Sequence, residues 1–257
     1  RLRAPMDQLW NPARLALGLV VLLAIFVPLE TFFPLVRRQF WQRPGVVTDL
    51  NHFFVSTGLR RLLTLLAAYV LITLLGFLVW PPLQQLMLAP PWWVQCAVAL
   101  VVFELGTYWG HRWAHTVPLL WRFHAVHHSS EALDWLAASR VHPLDQTFIR
   151  LCGILPVYFL GFTKAHFAFL VGTEALLAIF IHANVRFRFG WLEWLVATPV
   201  FHHWHHANEG PATTNKNYGG LFPWVDALFG TLILPPRFPT RYGIDEPMPP
   251  GYLGQLA

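Results

Sequence analysis

Twelve of the 13 histidines in this chain of 257 residues fall between His111 and His206, and their spacing is regular. They read His111-Arg-Trp-Ala-His115, His124-Ala-Val-His127-His128 and His202-His203-Trp-His205-His206, with His142 and His182 standing alone. On a helix the positions i, i+3 and i+4 are neighbours, so each group is expected to aim two or three imidazoles in one direction. His111, His115, His124, His127, His128, His202, His205 and His206, with His142 and His182, make ten candidate metal ligands. One ion of the zinc type takes about four, so ten imidazoles imply two ions. Imidazole suits iron, zinc, copper and nickel. Neutral imidazoles leave the metal charge uncompensated, and Glu131, Asp134, Asp145, Glu209 and Asp226 are the nearby acids able to orient ring N–H groups. His203 lies one position off its cluster's face and reads as packing. His52 has no partner nearby in sequence and reads as a solvated side chain, and His166 as an interfacial one.

The elements that carry these residues are apolar. Hydrophobic residues make up 55% of the chain and charged residues only 12%, with 13 Trp, 21 Phe and a mean hydropathy of +0.45. An ordinary soluble domain carries about 25% charged residues, so a cytosolic globule and a disordered chain are both excluded. The net charge of +5 is spread thinly over 18 Lys and Arg, which is no nucleic-acid stripe. Cys96 and Cys152 sit in apolar runs, against a disulfide framework or a cysteine zinc site.

Runs of about 20 apolar residues span a bilayer. Residues 15–36, 62–80 and 92–110 qualify, and residues 151–163 and 165–183 read as a hairpin turned at Gly161-Phe162-Thr163-Lys164. The first run is too long for a signal peptide and lacks its cleavage pattern. The fold class expected is therefore an all-α membrane protein, a bundle of four to five transmembrane helices with a cytoplasmic His-rich dimetal cap. Residues 1–91 would anchor, 92–234 would form the catalytic domain, and 235–257, rich in Pro and Gly, a cytoplasmic tail. Arg37, Arg38, Arg43, Arg60 and Arg61 follow the first span, whereas residues 81–91 carry no charge. The positive-inside rule then puts the histidines on the cytoplasmic side, although Arg1, Arg3 and Arg14 pull the other way.

From Trp93 to Gly230 the chain resembles the fatty acid hydroxylase superfamily, also called the sterol desaturase family. The resemblance rests on Tyr108-Trp109-Gly110-His111-Arg112, Phe123-His124-Ala125-Val126-His127-His128-Ser129-Ser130 and Ala138-Ser139-Arg140-Val141-His142-Pro143. It continues in His182-Ala183-Asn184-Val185, Asn217-Tyr218-Gly219 and Trp224-Val225-Asp226-Ala227-Leu228-Phe229-Gly230-Thr231. It implies a membrane-embedded oxidoreductase with two Fe ions, for which Zn substitutes in a purified sample, that uses O2 and two electrons to hydroxylate or desaturate a lipid. Members often carry Asp seven residues before the first ligand. Here that position is Glu104, on the face of His111 and so a further candidate for orienting a ligand.

A lipid must reach such a metal through apolar surroundings, and Phe103, Tyr108, Trp113, Trp121, Phe180 and Trp204 are the candidate cavity residues. No segment has the character of a fused haem or iron–sulfur domain, so electrons are expected from a separate ferredoxin or cytochrome with its reductase. The competing classes are a metal transporter, which would spread its histidines along the spans, and a structural zinc protein with the same ligands.

Overall fold

The computed structural model describes residues 11–37, 39 and 43–257. The described residues form helices and loops with no β-strand, and two isolated bridges, Pro34 with Val185 and Ala207 with Tyr242. In chain order the helices are α1 (Pro12–Phe32), α2 (Val46–Leu74), α3 (Pro81–Leu88), α4 (Trp92–Thr116), α5 (Pro118–His128), α6 (Pro143–Phe159), α7 (Lys164–His182), α8 (Pro199–His205), α9 (Pro223–Leu228) and α10 (Tyr252–Gln255). Six of them open on a proline, whose missing N–H costs nothing in a first turn.

Helices α1, α2, α4 and α7 are long and apolar enough to cross a membrane. The second expected span, residues 62–80, is displaced: α2 starts at Val46 and ends at Leu74. A π-turn at His52–Ser56 lets it continue without a break. Arg60 and Arg61, expected in a loop, are therefore inside this apolar helix. The short span expected at 151–163 is the second half of α6, which has 17 residues and contains Pro156. It is not among the four. The turn after it holds, with Gly161 at φ 88°. Helix α6 packs between α2 and α4, where side chains at Gly106 or Gly153 would overlap the facing helix.

Two histidines differ from expectation. His52 is fully buried, its Nδ1 3.1 Å from the Val141 carbonyl and its Nε2 3.0 Å from the Gln255 side chain. Beside the local Ser56 hydroxyl at 3.0 Å, these partners lie 89 and 203 residues away, where no local pattern announces them. His166 is also buried, and its Nδ1 accepts from the Thr163 backbone N–H at 3.0 Å, closing a capping box on α7.

Buried charges tie α1 and α2 to the segments around the histidines. Asp49, fully buried, accepts from Arg43 at 2.7 Å and from Arg140 at 2.5 Å. Asp134 pairs with the other edge of Arg43 and caps the backbone N–H groups of Leu136 and Ala137. Glu30 accepts from the N–H groups of Trp135 and Asn184, both at 2.9 Å. The C-terminal residues close over this end through Thr48 to the Pro250 carbonyl at 2.9 Å and through Gln255. Asp49→Asn leaves two buried guanidiniums short of a carboxylate, a loss of about 3 kcal/mol by the usual cost of breaking a buried pair. Denaturant unfolding in detergent checks it, and a change below about 0.5 kcal/mol would contradict it.

Candidate metal centre

Nine of the ten expected ligands converge, and they do so as two sets. His111, His115, His124, His128 and His205 form one; His127, His182, His202 and His206 form the other, each set with its ligand atoms within 4.8 Å of one another. The sequence reading that each motif aims all its rings one way is corrected here. In His124-Ala-Val-His127-His128 the i and i+4 rings join the first set, and His127 turns to the second. In His202-His203-Trp-His205-His206 the i and i+4 rings join the second set and His205 the first. At 3.6 residues per turn the i+3 ring points about 100° away from the i+4 ring. Each motif therefore serves both sets, and His128 and His206 stack across the boundary at 4.4 Å.

The ring orientations are fixed from behind. Nδ1 donates to a backbone carbonyl in His111 (Tyr218, 2.7 Å), His127 (Arg140, 3.0 Å), His182 (Ala178, 2.6 Å) and His205 (Lys216, 2.8 Å). In His124 it meets the Asp145 carboxylate at 3.0 Å. With the proton on Nδ1, Nε2 carries a bare lone pair. Lone pairs fixed in this way face each other in His111 with His124 at 3.0 Å and His127 with His182 at 3.2 Å, while His128 approaches His124 at 3.2 Å, His202 approaches His182 at 3.0 Å and His206 approaches His202 at 3.1 Å. The Nε2 atoms of His115 and His205 are buried without a hydrogen-bond partner. At the His111–His124 and His127–His182 contacts acceptor faces acceptor, and a cation satisfies both atoms at once. Nitrogens about 2.1 Å from one ion and at right angles are about 3.0 Å apart, so the donor set fits a transition metal in each cluster.

His142 stands outside both sets. Its ring nitrogen accepts from the Leu144 N–H at 3.2 Å to cap α6, and the ring lies against Phe123 at 4.8 Å. His203, read as packing, is buried between the Tyr242 hydroxyl and the Ala183 carbonyl. Of the six acids, Asp145 alone touches a clustered ring. Glu104 and Asp226 instead hold the segment that carries the Tyr218 carbonyl. Glu104 accepts from the N–H groups of Leu221 and Phe222 at 3.0 Å, and Asp226 from those of Tyr218 and Gly219 at 2.7 and 2.8 Å. A Cβ on Gly219 would stand 2.8 Å from Asp226 and 3.0 Å from Glu104, so only glycine fits between them. Asp134 is engaged with Arg43. Glu131 is exposed and Glu209 pairs with Arg237 at 2.7 Å, so neither orients a ligand.

A cavity of about 380 Å³ reaches His111, His124, His127, His182 and His202 from among the helices. A second, of about 320 Å³, reaches His115, His128, His205 and His206 from the opposite side. Phe103 lines the first cavity and Trp121 the second. The other aromatic candidates are elsewhere. Tyr108 bonds Thr231 at 2.8 Å, Trp113 is 44% exposed, Phe180 packs near Phe26 and Trp135, and Trp204 donates to the Arg237 carbonyl at 2.7 Å. Sequence reasoning missed Asp49 and Arg140, whose pairing holds the carbonyl that receives His127, and Asn217, which ties the Phe201 and Ile233 carbonyls together at 2.9 and 2.8 Å.

Burial, with His124 close by, pushes His127 down to about 4. Burial likewise holds His128, His202, His205 and His206 well below 6.5. The unfolded chain keeps imidazoles near about 6.5. Above that pH both states are neutral; below it the unfolded chain gains protons that the folded one refuses, and stability is lost as pH falls through about 4. The metal-stripped protein is expected to show a Tm that drops steeply from about pH 7 to about pH 5. A flat Tm over that range would contradict this protonation state.

The family model described as fatty acid hydroxylase matches residues 96–231. An ornithine lipid hydroxylase (OlsE) of Rhizobium tropici is 39% identical over 164 residues, 63% of this chain and 49% of that protein. An alkylglycerol monooxygenase of Xenopus tropicalis is 31% identical over 157 residues, 61% of this chain and 33% of its own length. A putative Δ7-sterol-C5(6)-desaturase of Arabidopsis thaliana is 28% identical over 155 residues, 56% of this chain and 51% of its own. The chain thus spans between a third and a half of these curated relatives. No solved structure matches. With more than half of its length matched, including all nine converging histidines, the chain belongs to the fatty acid hydroxylase family.

Proposed function

We propose that the chain is a membrane-embedded, non-haem di-iron oxygenase that hydroxylates or desaturates a C–H bond of a membrane lipid. The observation that carries this reading is the pair of all-imidazole sets at the inner end of a cavity set among membrane-length helices. The nine clustered imidazoles would hold two iron ions, which would supply O2 reduction and removal of a hydrogen atom from carbon. In hydroxylation one oxygen atom enters the C–H bond. The other leaves as water, with two protons and two electrons from outside.

The protein's own part is positional. The Nδ1 contacts of His111, His124, His127, His182 and His205 keep those rings in the neutral tautomer that a metal needs. Glu104 and Asp226 fix the segment behind His111. Phe103, Ile149 and Ile181 line the cavity and exclude water from the reacting carbon. Polar lipids are the substrate class supported by the relatives' printed names, an ornithine lipid hydroxylase and an alkylglycerol monooxygenase among them. A separate ferredoxin or cytochrome with its reductase delivers the electrons in this reading. Cys96 and Cys152 lie in α4 and α6 and form no cluster site. The reading keeps 92–234 as the catalytic part, 1–91 as anchor and 235–257 as cover, in a multi-pass protein of the bacterial inner membrane. Arg37 and Arg43 at the histidine end support a cytoplasmic position for it. Gathering of the ligands at one end disfavours a transport relay.

Protein loaded anaerobically with Fe(II) in membranes, then given O2, a ferredoxin with its reductase and total lipid, is expected to consume oxygen. Mass spectrometry should find a lipid that has gained one oxygen or lost two hydrogens, absent with His127→Ala. Oxygen uptake without any changed lipid would overturn the reading. Asp145→Asn is expected to weaken the first set's metal by about tenfold to a hundredfold while sparing the second, as read by metal titration.

A further inference from the structure

Three charged residues lie inside apolar helices at matched depth. Arg60 is eight residues beyond His52 on α2, Arg150 eight beyond His142 on α6, and Glu174 eight before His182 on α7. His182 belongs to the second metal set, and His52 and His142 flank Val141, next to the Arg140 carbonyl that receives His127. At 1.5 Å per residue, eight residues are about 12 Å. Arg60, Arg150 and Glu174 line the same cavity that touches His111, His124 and His182, and Arg61 lines it beside them. Arg150 donates to Glu174 at 2.9 Å, a pair that clamps α6 to α7. Arg60 is within electrostatic reach of both, yet it has no hydrogen bond or ion pair among the described residues.

The arginines lining this cavity, Arg14, Arg60, Arg61 and Arg150, outnumber its carboxylates, Glu174 and the Glu104 already held by backbone N–H groups, in a place where ionised groups are expensive unless matched. Clamping two helices accounts for Arg150 and Glu174 and leaves Arg60 and Arg61 over. Arginine's planar fork suits bidentate contact with a carboxylate or phosphate, and the cavity offers such a group a path in with its hydrocarbon. We propose that Arg60, with Arg61 and the Arg150–Glu174 pair beside it, receives the anionic group, carboxylate or phosphate, of the lipid substrate. The carbon oxidised then lies within about 12 Å of that group, in the part of the lipid near its headgroup and not at the far end of a chain. The word substrate rests on the oxygenase reading above; the anion site itself does not.

The test uses the full chain in neutral detergent and measures binding of four probes of equal chain length. Oleate and oleoyl lysophosphatidate carry the anion; oleyl alcohol and monoolein do not. The wild type is expected to prefer an anionic probe by about tenfold or more, the size of one charge-assisted contact. Arg60→Gln should bring the preference within about twofold while neutral probes bind as before, and Arg60→Lys should restore part of it. An equal affinity of the wild type for all four probes would overturn the proposal, even if Arg60→Gln fails to fold. So would a preference that survives Arg60→Gln. Inorganic phosphate or acetate that displaces the anionic probes at equal concentration would assign the arginines to a free anion and overturn the lipid assignment. An Arg60-dependent preference in a protein that oxidises no lipid removes the oxygenase reading and leaves the anion site. Lipid oxidation without any such preference does the reverse.

Discussion

Nine imidazoles crowded into two adjoining sets are the condition on which the rest of the structure depends. Acceptor nitrogens 3.0 and 3.2 Å apart, as in His111 with His124 and His127 with His182, repel unless a cation sits among them. Protonation would relieve the conflict only by putting charge into a buried space, and burial holds His128, His202, His205 and His206 well below their ordinary range. A metal-binding state is what the ring positions are built for. The crossed pattern, in which each HxxHH motif gives a pair to one set and a single ring to the other, makes the two sets one mechanical unit. Removing a helix from either would disturb both.

Holding such a conflict in place takes a frame stiffer than apolar packing alone, and that frame is polar. The carbonyls that receive His111, His127 and His205 belong to loop residues Tyr218, Arg140 and Lys216. Two of these loops are pinned by buried carboxylates: Asp49 on Arg140, and Glu104 with Asp226 on residues 218–222. Asp49 and Glu30 come from the two N-terminal membrane helices. Those helices, long and apolar enough to cross a membrane, are thus part of the site's support.

Much of this was legible in the sequence where periodicity and residue type coincide. The histidine motifs gave the metal chemistry, and the spans at α1, α4 and α7 follow from apolar length. What failed concerned where a helix begins, which partners the fold supplies and which face a side chain takes. Arg60 and Arg61 looked like the end of a loop because α2 begins sixteen residues before the apolar run was counted. His52 looked solvated because two of its three partners, Val141 and Gln255, are distant in the chain. Five of the six acids touch no clustered ring, since proximity in sequence said nothing of which face they take. His142 reads as a ligand by its neighbours, whereas its position one residue before Pro143 makes it a helix cap.

The central claim is two ions per chain on nine imidazoles in a crossed arrangement. Metal analysis of anaerobically purified protein, wild type beside His115→Ala and His182→Ala, tests it most directly. The account predicts two ions per chain in the wild type, with nitrogen-dominated coordination by X-ray absorption, and selective weakening of a different ion in each variant. A single ion per chain, or full retention of both ions in both variants, would contradict it.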